Sequence, residues 1–280
     1  MRKELRNPIS KTHALKLAAM GKMLVNKATY VFIRALTSTP PDGWLHSPWH
    51  WYRFPFSLRK HFLWSPSVQG WFCPEDESAI ECMLHLPSYE PVYWVSPKPG
   101  DVFVDIGAHV GWYTLRAARA VGPAGLIIAL EPDPINRHQL EKNLALNKVR
   151  NCEVVPLAAW SRPGQVRWRP GQQPVWHRID EQEGSEVIEA TKVDELVAKR
   201  NLERVDWLKM DIEGGEVEAL KGAVATLRRF RPALFIEVHE TLGHLNVLLS
   251  GLGYSIVQAS FDEPPDKHGW ILAHPNGSNK

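Results

Sequence analysis

Two groups of residues in this 280-residue chain have the types and spacing to do chemistry. The first is Asp105-Ile106-Gly107-Ala108-His109-Val110-Gly111, with Glu131 following 20 residues after Gly111. Glycines at these positions let the backbone turn tightly and approach a ligand, and an acid at that distance can accept both hydroxyls of a ribose. The loop reads G-x-x-x-G. A dinucleotide fingerprint requires G-x-G-x-x-G, and a Walker loop requires Gly-Lys-Ser/Thr. A carboxylate such as Asp105 at the mouth of the loop would repel a pyrophosphate and attract a cation. The loop therefore argues against NAD and for S-adenosylmethionine, which has an α-ammonium and a ribose but no phosphate. The plainer alternative is a tight turn without a ligand.

The second group is Lys209 and Asp211 and, further on, Glu237 and His239. The two-residue period puts Trp207, Lys209 and Asp211 on one face of a strand and Glu237 and His239 on one face of another. With Glu213 they could converge on one pocket. Methyl transfer is an in-line displacement that needs an acceptor held in line and a proton handled. His239 is the base best tuned by intrinsic pKa, and Asp211 is next. Asp211, Glu213, Glu237 and His239 also form an oxygen-rich set suited to Mg²⁺ or Mn²⁺. Structural roles compete: Glu213 and Glu216 can complement a helix dipole, Asp211 can cap that helix, and Lys209 can pair with Glu237.

The elements that must position these residues alternate. Strands are expected at 102–105, 126–130, 153–157, 205–210, 233–238, 254–257 and 270–273. Helices are expected at 111–120, 134–146, 193–200, 216–230 and 242–252, with residues 161–190 a polar, Gly/Pro-rich hairpin excursion. Such alternation implies a mostly parallel sheet covered on both faces, a doubly wound α/β fold. Its ligand-binding crevice would lie at the carboxyl ends of the strands, where both groups fall.

Residues 1–99 read differently, as a helical and Trp/Pro-rich extension before a domain at 100–280. Leu17, Met20, Leu24, Ala28 and Val31 recur at helical steps, and residues 1–36 carry eight basic residues against one acid. A basic amphipathic helix over 10–36 is expected, packed on the main domain or resting on an anionic membrane surface. Six of the 12 Trp precede residue 100. Tryptophan is costly to leave exposed, so residues 37–99 should form a lid, an acceptor-binding surface or a small core of their own. The net charge of +2 rules out binding nucleic acid by bulk charge. Three scattered cysteines form neither a disulfide framework nor a zinc spacing, which points to the cytoplasm.

Taken in order, Asp105–Gly111, Glu131-Pro132-Asp133-Pro134, Asn143-Leu144-Ala145-Leu146-Asn147, Lys209-Met210-Asp211-Ile212-Glu213-Gly214-Gly215-Glu216, Leu220-Lys221-Gly222-Ala223 and Arg231-Pro232 resemble the FkbM family of S-adenosylmethionine-dependent methyltransferases. The resemblance implies a class I methyltransferase fold, Rossmann-like, with a seven-stranded sheet whose last strand is antiparallel. It implies cofactor contacts from Asp105, Gly107, Ala108, His109, Gly111, Glu131 and Pro132. It also places adenine beside Ala158, Ala159 and Trp160. It implies O-methylation of a sugar or natural-product hydroxyl, with N-methylation of a peptide side-chain amide as the alternative. A non-catalytic binding module that kept the fold is the competing class. Lys209, Asp211, Glu237 and His239 are the catalytic candidates, with a divalent metal on Asp211, Glu213, Glu237 and His239 as a further reading. The acceptor, the metal dependence and the oligomeric state stay open at the level of sequence.

Overall fold

The computed structural model describes residues 63–65, 68, 70–73, 90–169, 178–180, 182–261 and 267–277, and the expected basic helix over 10–36 lies outside them. A short hairpin, β1 (Leu63–Ser65) and β2 (Gly70–Phe72), precedes the alternating part. There follow β3 (Val102–Ile106), α1 (Trp112–Val121), β4 (Leu126–Leu130), α2 (Pro134–Leu146) and β5 (Cys152–Val155). After an excursion come α3 (Val193–Lys199), β10 (Trp207–Met210), α4 (Glu216–Lys221), α5 (Val224–Phe230) and β11 (Ala233–His239). The chain closes with α6 (Leu242–Gly251), β12 (Tyr254–Phe261) and β13 (His268–Pro275).

The main sheet has the order β5-β4-β3-β10-β11-β13-β12. Its last strand, β13, runs antiparallel to both neighbours, and the other pairings recorded are parallel. The chain winds from β3 outward through β4 and β5, then returns to the far side of β3 with β10. The winding thus reverses between β3 and β10, and the crevice of a doubly wound sheet opens there. The expected excursion is present as a second sheet of order β6-β9-β7-β8, built from Ala158–Ala159, Gly164–Arg169, Arg178–Ile179 and Glu186–Thr191.

Alternation along the buried strands decides which side chains meet which layer. Val104, Ile106, Leu208, Met210, Leu234 and Ile236 face a core shared with α3 to α6. Phe103, Trp207, Phe235 and Trp270 face a second core shared with α1, α2 and residues 92–95. The aromatic rings interlock: Phe235 stacks on Trp270 with centroids 4.4 Å apart, a pair worth roughly 0.5–1.5 kcal/mol beyond its buried area. Asp105, Lys209 and Glu237 continue this aromatic face toward the carboxyl ends, and Lys209 is in register with Asp105.

Two expectations are corrected. The third strand stops at Val155, and Ala158–Ala159 pairs instead with β9 in the second sheet. The helix expected over 216–230 is two helices. Gly222 packs on the Trp160 carbonyl so closely that a Cβ would stand 2.1 Å from its oxygen. A long-range contact therefore interrupts a helical pattern that is locally continuous.

Candidate active site

The glycine loop joins β3 to α1 at the switch point. Gly107 has φ 76° and Gly111 φ 94°, conformations that favour glycine. A Cβ on Gly107 would lie 1.9 Å from the Asp211 carbonyl oxygen, and one on Gly111 would lie 2.5 Å from Leu140 Cδ1. The glycines thus let the loop pack against β10 on one side and α2 on the other. The N–H groups of Gly107 and Ala108 both donate to the Leu130 carbonyl, and Asn143 Nδ2 donates to Val110 O.

Glu131 follows β4, across from this loop. Its carboxyl accepts from the backbone N–H of His109 (2.7 Å) and of Asp133 (3.0 Å). Burial pushes it up to about 7, against those two hydrogen bonds and the charge of Lys209. Arg137 Nη1 donates to the carbonyls of Glu131 and Pro132 and fixes the turn. Asp133 caps α2 by accepting from Ile135 and Asn136.

Asp105 differs from its expectation. Its carboxyl is fully buried, accepts from Thr114 Oγ1 (2.6 Å) and lies 3.4 Å from Lys209 Nζ. Burial raises its pKa, with the Lys209 charge opposing. The group faces inward to Lys209 rather than outward to a ligand. Lys209 Nζ in turn donates to Gly107 O (2.8 Å) and lies 3.4 Å from Asp211 Oδ2. It also sits 5.1 Å from the centre of the Tyr113 ring. Desolvation disfavours its charge, but Asp105, Asp211, Glu90 and Glu237 outweigh that, and the net shift is upward. The partners of Lys209 are thus Asp105 and Asp211, not the expected Glu237.

The carboxyl ends of β10 and β11 bring Asp211, Glu213, Glu237 and His239 together. Asp211 is held down to about 2: burial opposes its charge, but Lys209 and a hydrogen bond from Glu237 outweigh burial. Glu237 is driven far upward by burial and by Asp211, so it is the protonated member of the pair. His268 Nε2 stands 2.8 Å from Glu237 Oε1. His239 Nδ1 stands 3.0 Å from Glu216 Oε1, and its Nε2 is 3.4 Å from Glu213 Oε2. Glu216 is fully buried and also accepts from Gly214 N–H and Thr241 Oγ1. This set of donors assigns the proton of His239 to Nδ1. Burial pulls the imidazole pKa down, but Glu216 and Glu213 prevail and it rises to about 8. Three non-glycine residues with positive φ, His109, Glu213 and Glu240, lie in the loops after β3, β10 and β11, as strain at a functional site would predict.

Two groups of potential metal ligands meet here: Asp211, Glu213 and His239, and Glu237, His239 and His268. Asp211 already faces Lys209, and His239 faces Glu216 through Nδ1, with its Nε2 toward Glu213. Asp211 does not cap α4, whose N-cap is Gly215. Trp160 packs against Gly215 and Gly222, and Ala159 is buried in the core. Glu90 is a member of the cluster that the sequence did not flag. Tyr113 Oη donates to its Oε2 at 2.5 Å, and burial together with Asp211 raises it to about 8. No signal in the pattern around residue 90 could have found it.

A sheet of this order, with an acid-ended β4 and a glycine loop at the switch point, defines a class I S-adenosylmethionine-dependent methyltransferase. The methyltransferase FkbM domain profile matches residues 105–256, and the chain belongs to that family. Methyltransferase sdnD of Sordaria araneosa is 27% identical over 65% of this chain and 84% of its own length. The 2-O-methyltransferase NoeI of Sinorhizobium fredii is 26% identical over 48% of this chain and 62% of its own. The hexuronic acid methyltransferase AglP of Haloferax volcanii is 27% identical over 50% and 56%. The solved methyltransferase FkbM of Methylobacillus flagellatus shares the fold at TM-score 0.50 and 21% identity, over 67% of this chain and 47% of that one. The chain thus spans about half of that solved protein. Among the described residues no helix is long and apolar enough to cross a membrane.

Proposed function

We propose that this methyltransferase acts on a hydroxyl group of a saccharide or of a glycosylated small molecule. The observation that carries the reading is His239, oriented by buried Glu216 beside the Asp211–Glu237 pair. An alcohol must lose its proton as the new bond forms, and this cluster can accept one. Two relatives, a 2-O-methyltransferase and a hexuronic acid methyltransferase, support it.

The residues present fit the cofactor. Glu131 is a desolvated carboxylate whose remaining acceptor capacity suits the two ribose hydroxyls, and the acidic cluster suits a cation. When bound, S-adenosylmethionine would supply an electrophilic methyl on a sulfonium, with the thioether as leaving group. The loop from Gly107 through Ala108 and His109 to Gly111, with Pro132, would hold that ligand. Ala159 contributes by shaping the wall from within the core. Asp105 and Lys209 are positioning residues that hold the loop and Asp211. Asp211 orients the acceptor hydroxyl, Glu237 shares the proton with Asp211, and neutral His239 takes the acceptor's proton at Nε2.

A screen of saccharide and glycoside acceptors with S-adenosylmethionine, read by mass spectrometry, tests this. A single added methyl on oxygen supports it. A methyl found on an amide nitrogen instead overturns it.

A further inference from the structure

We infer that Glu90 is a specificity-determining residue of the acceptor side, and that it sets the site for an uncharged, hydroxyl-bearing acceptor and against an acidic one. The inference rests on the reading of saccharide O-methylation and deepens it.

Glu90 comes from neither strand that carries the other acids. It precedes β3, in the segment that covers the aromatic face of the sheet. Pro91 and Val95 are buried, and Trp94 packs edge-on against Phe235 with centroids 6.4 Å apart. Tyr113, the donor to Glu90, is itself held against Phe235 (5.6 Å) and Trp270 (6.0 Å). Both members of the pair are therefore fixed by packing. Among the described residues, Tyr113 is the side chain that hydrogen-bonds Glu90, at Oε2.

The surrounding charges define what that ligand is. Asp211 and Lys209 both act on Glu90 electrostatically, and Glu90 together with Asp211 and Glu213 acts on Glu237. Lys209 is taken up by Gly107 O, Asp105 and Asp211. His239 faces Glu216, Glu213 and Glu237, and His268 faces Glu237. Lys209, His239 and His268 thus each already face carboxyl groups, so an acidic acceptor would enter among like charges. A neutral carboxyl such as Glu90 at pH 7 can both donate to a hydroxyl and accept from one, and so suits a polyol.

The test compares methyl glycosides of neutral hexoses with the matching hexuronides, using labelled S-adenosylmethionine. The wild type is expected to methylate the neutral set in preference. Glu90→Gln, which keeps a donor and an acceptor, should stay near wild type, whereas Glu90→Leu should raise the acceptor KM roughly tenfold, the scale of one lost hydrogen bond, with the S-adenosylmethionine KM unchanged. Tyr113→Phe should move the acceptor KM in the same direction, and Glu90→Lys should shift preference toward hexuronides. A thermal shift with S-adenosylhomocysteine checks that each variant is folded. Preference of the wild type for hexuronides, or an acceptor KM unmoved by Glu90→Leu and Tyr113→Phe, overturns this inference and leaves O-methylation standing. Transfer to neither set by protein that binds the cofactor overturns the saccharide reading and this inference with it.

Discussion

The ammonium of Lys209 donates to the carbonyl of Gly107 at 2.8 Å, and so ties the strand that bears Asp211 to the glycine loop. The same ammonium lies 3.4 Å from both Asp105 and Asp211. One buried cation thus balances two carboxylates and sets the height of the loop above the sheet.

Removing that cation should be costly. Lys209→Met leaves buried Asp105 and half-buried Asp211 without compensation, and a loss of about 3–5 kcal/mol is expected in urea unfolding. Adding Asp105→Asn should recover part of it. Equal stability of Lys209→Met and wild type would show that the carboxyls are neutral without their partner.

Glu131 should govern the cofactor affinity and its pH dependence. Its pKa is raised in the folded protein, so at low pH it is protonated, whereas the ribose hydroxyls favour the ionised form. Affinity for S-adenosylhomocysteine is therefore expected to rise with pH through about 7 and to level off above it. Glu131→Gln should lose that limb and about 1.5–3 kcal/mol of binding in calorimetry. A flat wild-type profile would place the ribose elsewhere.

His239 should appear in the rate rather than in cofactor binding. Its pKa of about 8 means that the base form grows as pH rises through that value, so turnover should climb there. His239→Ala should lower kcat by about 10²–10⁴ and abolish the limb, with S-adenosylhomocysteine binding retained. Glu216→Gln should move the limb to lower pH, because a carboxylate that favours the imidazolium is gone. An unshifted limb would detach Glu216 from the base.

Much of this was legible in the sequence, for identifiable reasons. The buried parallel strands are short apolar runs between turn signals, so β3, β4 and β11 were found within a residue or two. Asp105, Glu131, Asp211, Glu237 and His239 fall at strand ends, where alternation and the switch-point rule suffice to gather them. What could not be read depends on contacts between distant segments. The break at Gly222 comes from Trp160, and the inward turn of Asp105 comes from Lys209 on a neighbouring strand. Asn143 and Asn147 illustrate the same limit. In the sequence they are marks of family resemblance; in the fold they receive the early hairpin. Asn143 Oδ1 accepts from the N–H of Cys73, and Asn147 exchanges two hydrogen bonds with the backbone of Trp71.

The close approach at Gly107 gives a test of the loop itself. Gly107→Ala must relieve an overlap with the Asp211 carbonyl and hold a positive φ, which alone costs about 1–2 kcal/mol. Loss of S-adenosylhomocysteine binding is expected, read by a melting curve with and without ligand. Binding at wild-type strength would mean that the loop can move without consequence.

Divalent metal should be dispensable if His239 Nε2 serves as the base, because Asp211 already faces Lys209 and a metal on Nε2 would block proton transfer. Turnover is expected to persist in EDTA. Loss of turnover on chelation, restored by Mg²⁺ or Mn²⁺, would assign the acids to a metal instead.

The packing of Trp94 on Phe235 bears on how this protein can be cut. An expression clone begun at residue 100, the apparent start of the alternating pattern, would strip Pro91, Trp94 and Val95 from the sheet and take Glu90 with them. The uncovered rings of Phe235 and Tyr113 would then meet water as a sticky patch, and such a fragment should precipitate where one begun ahead of residue 90 stays in solution. A well-behaved catalytic fragment is therefore expected to begin upstream of β3.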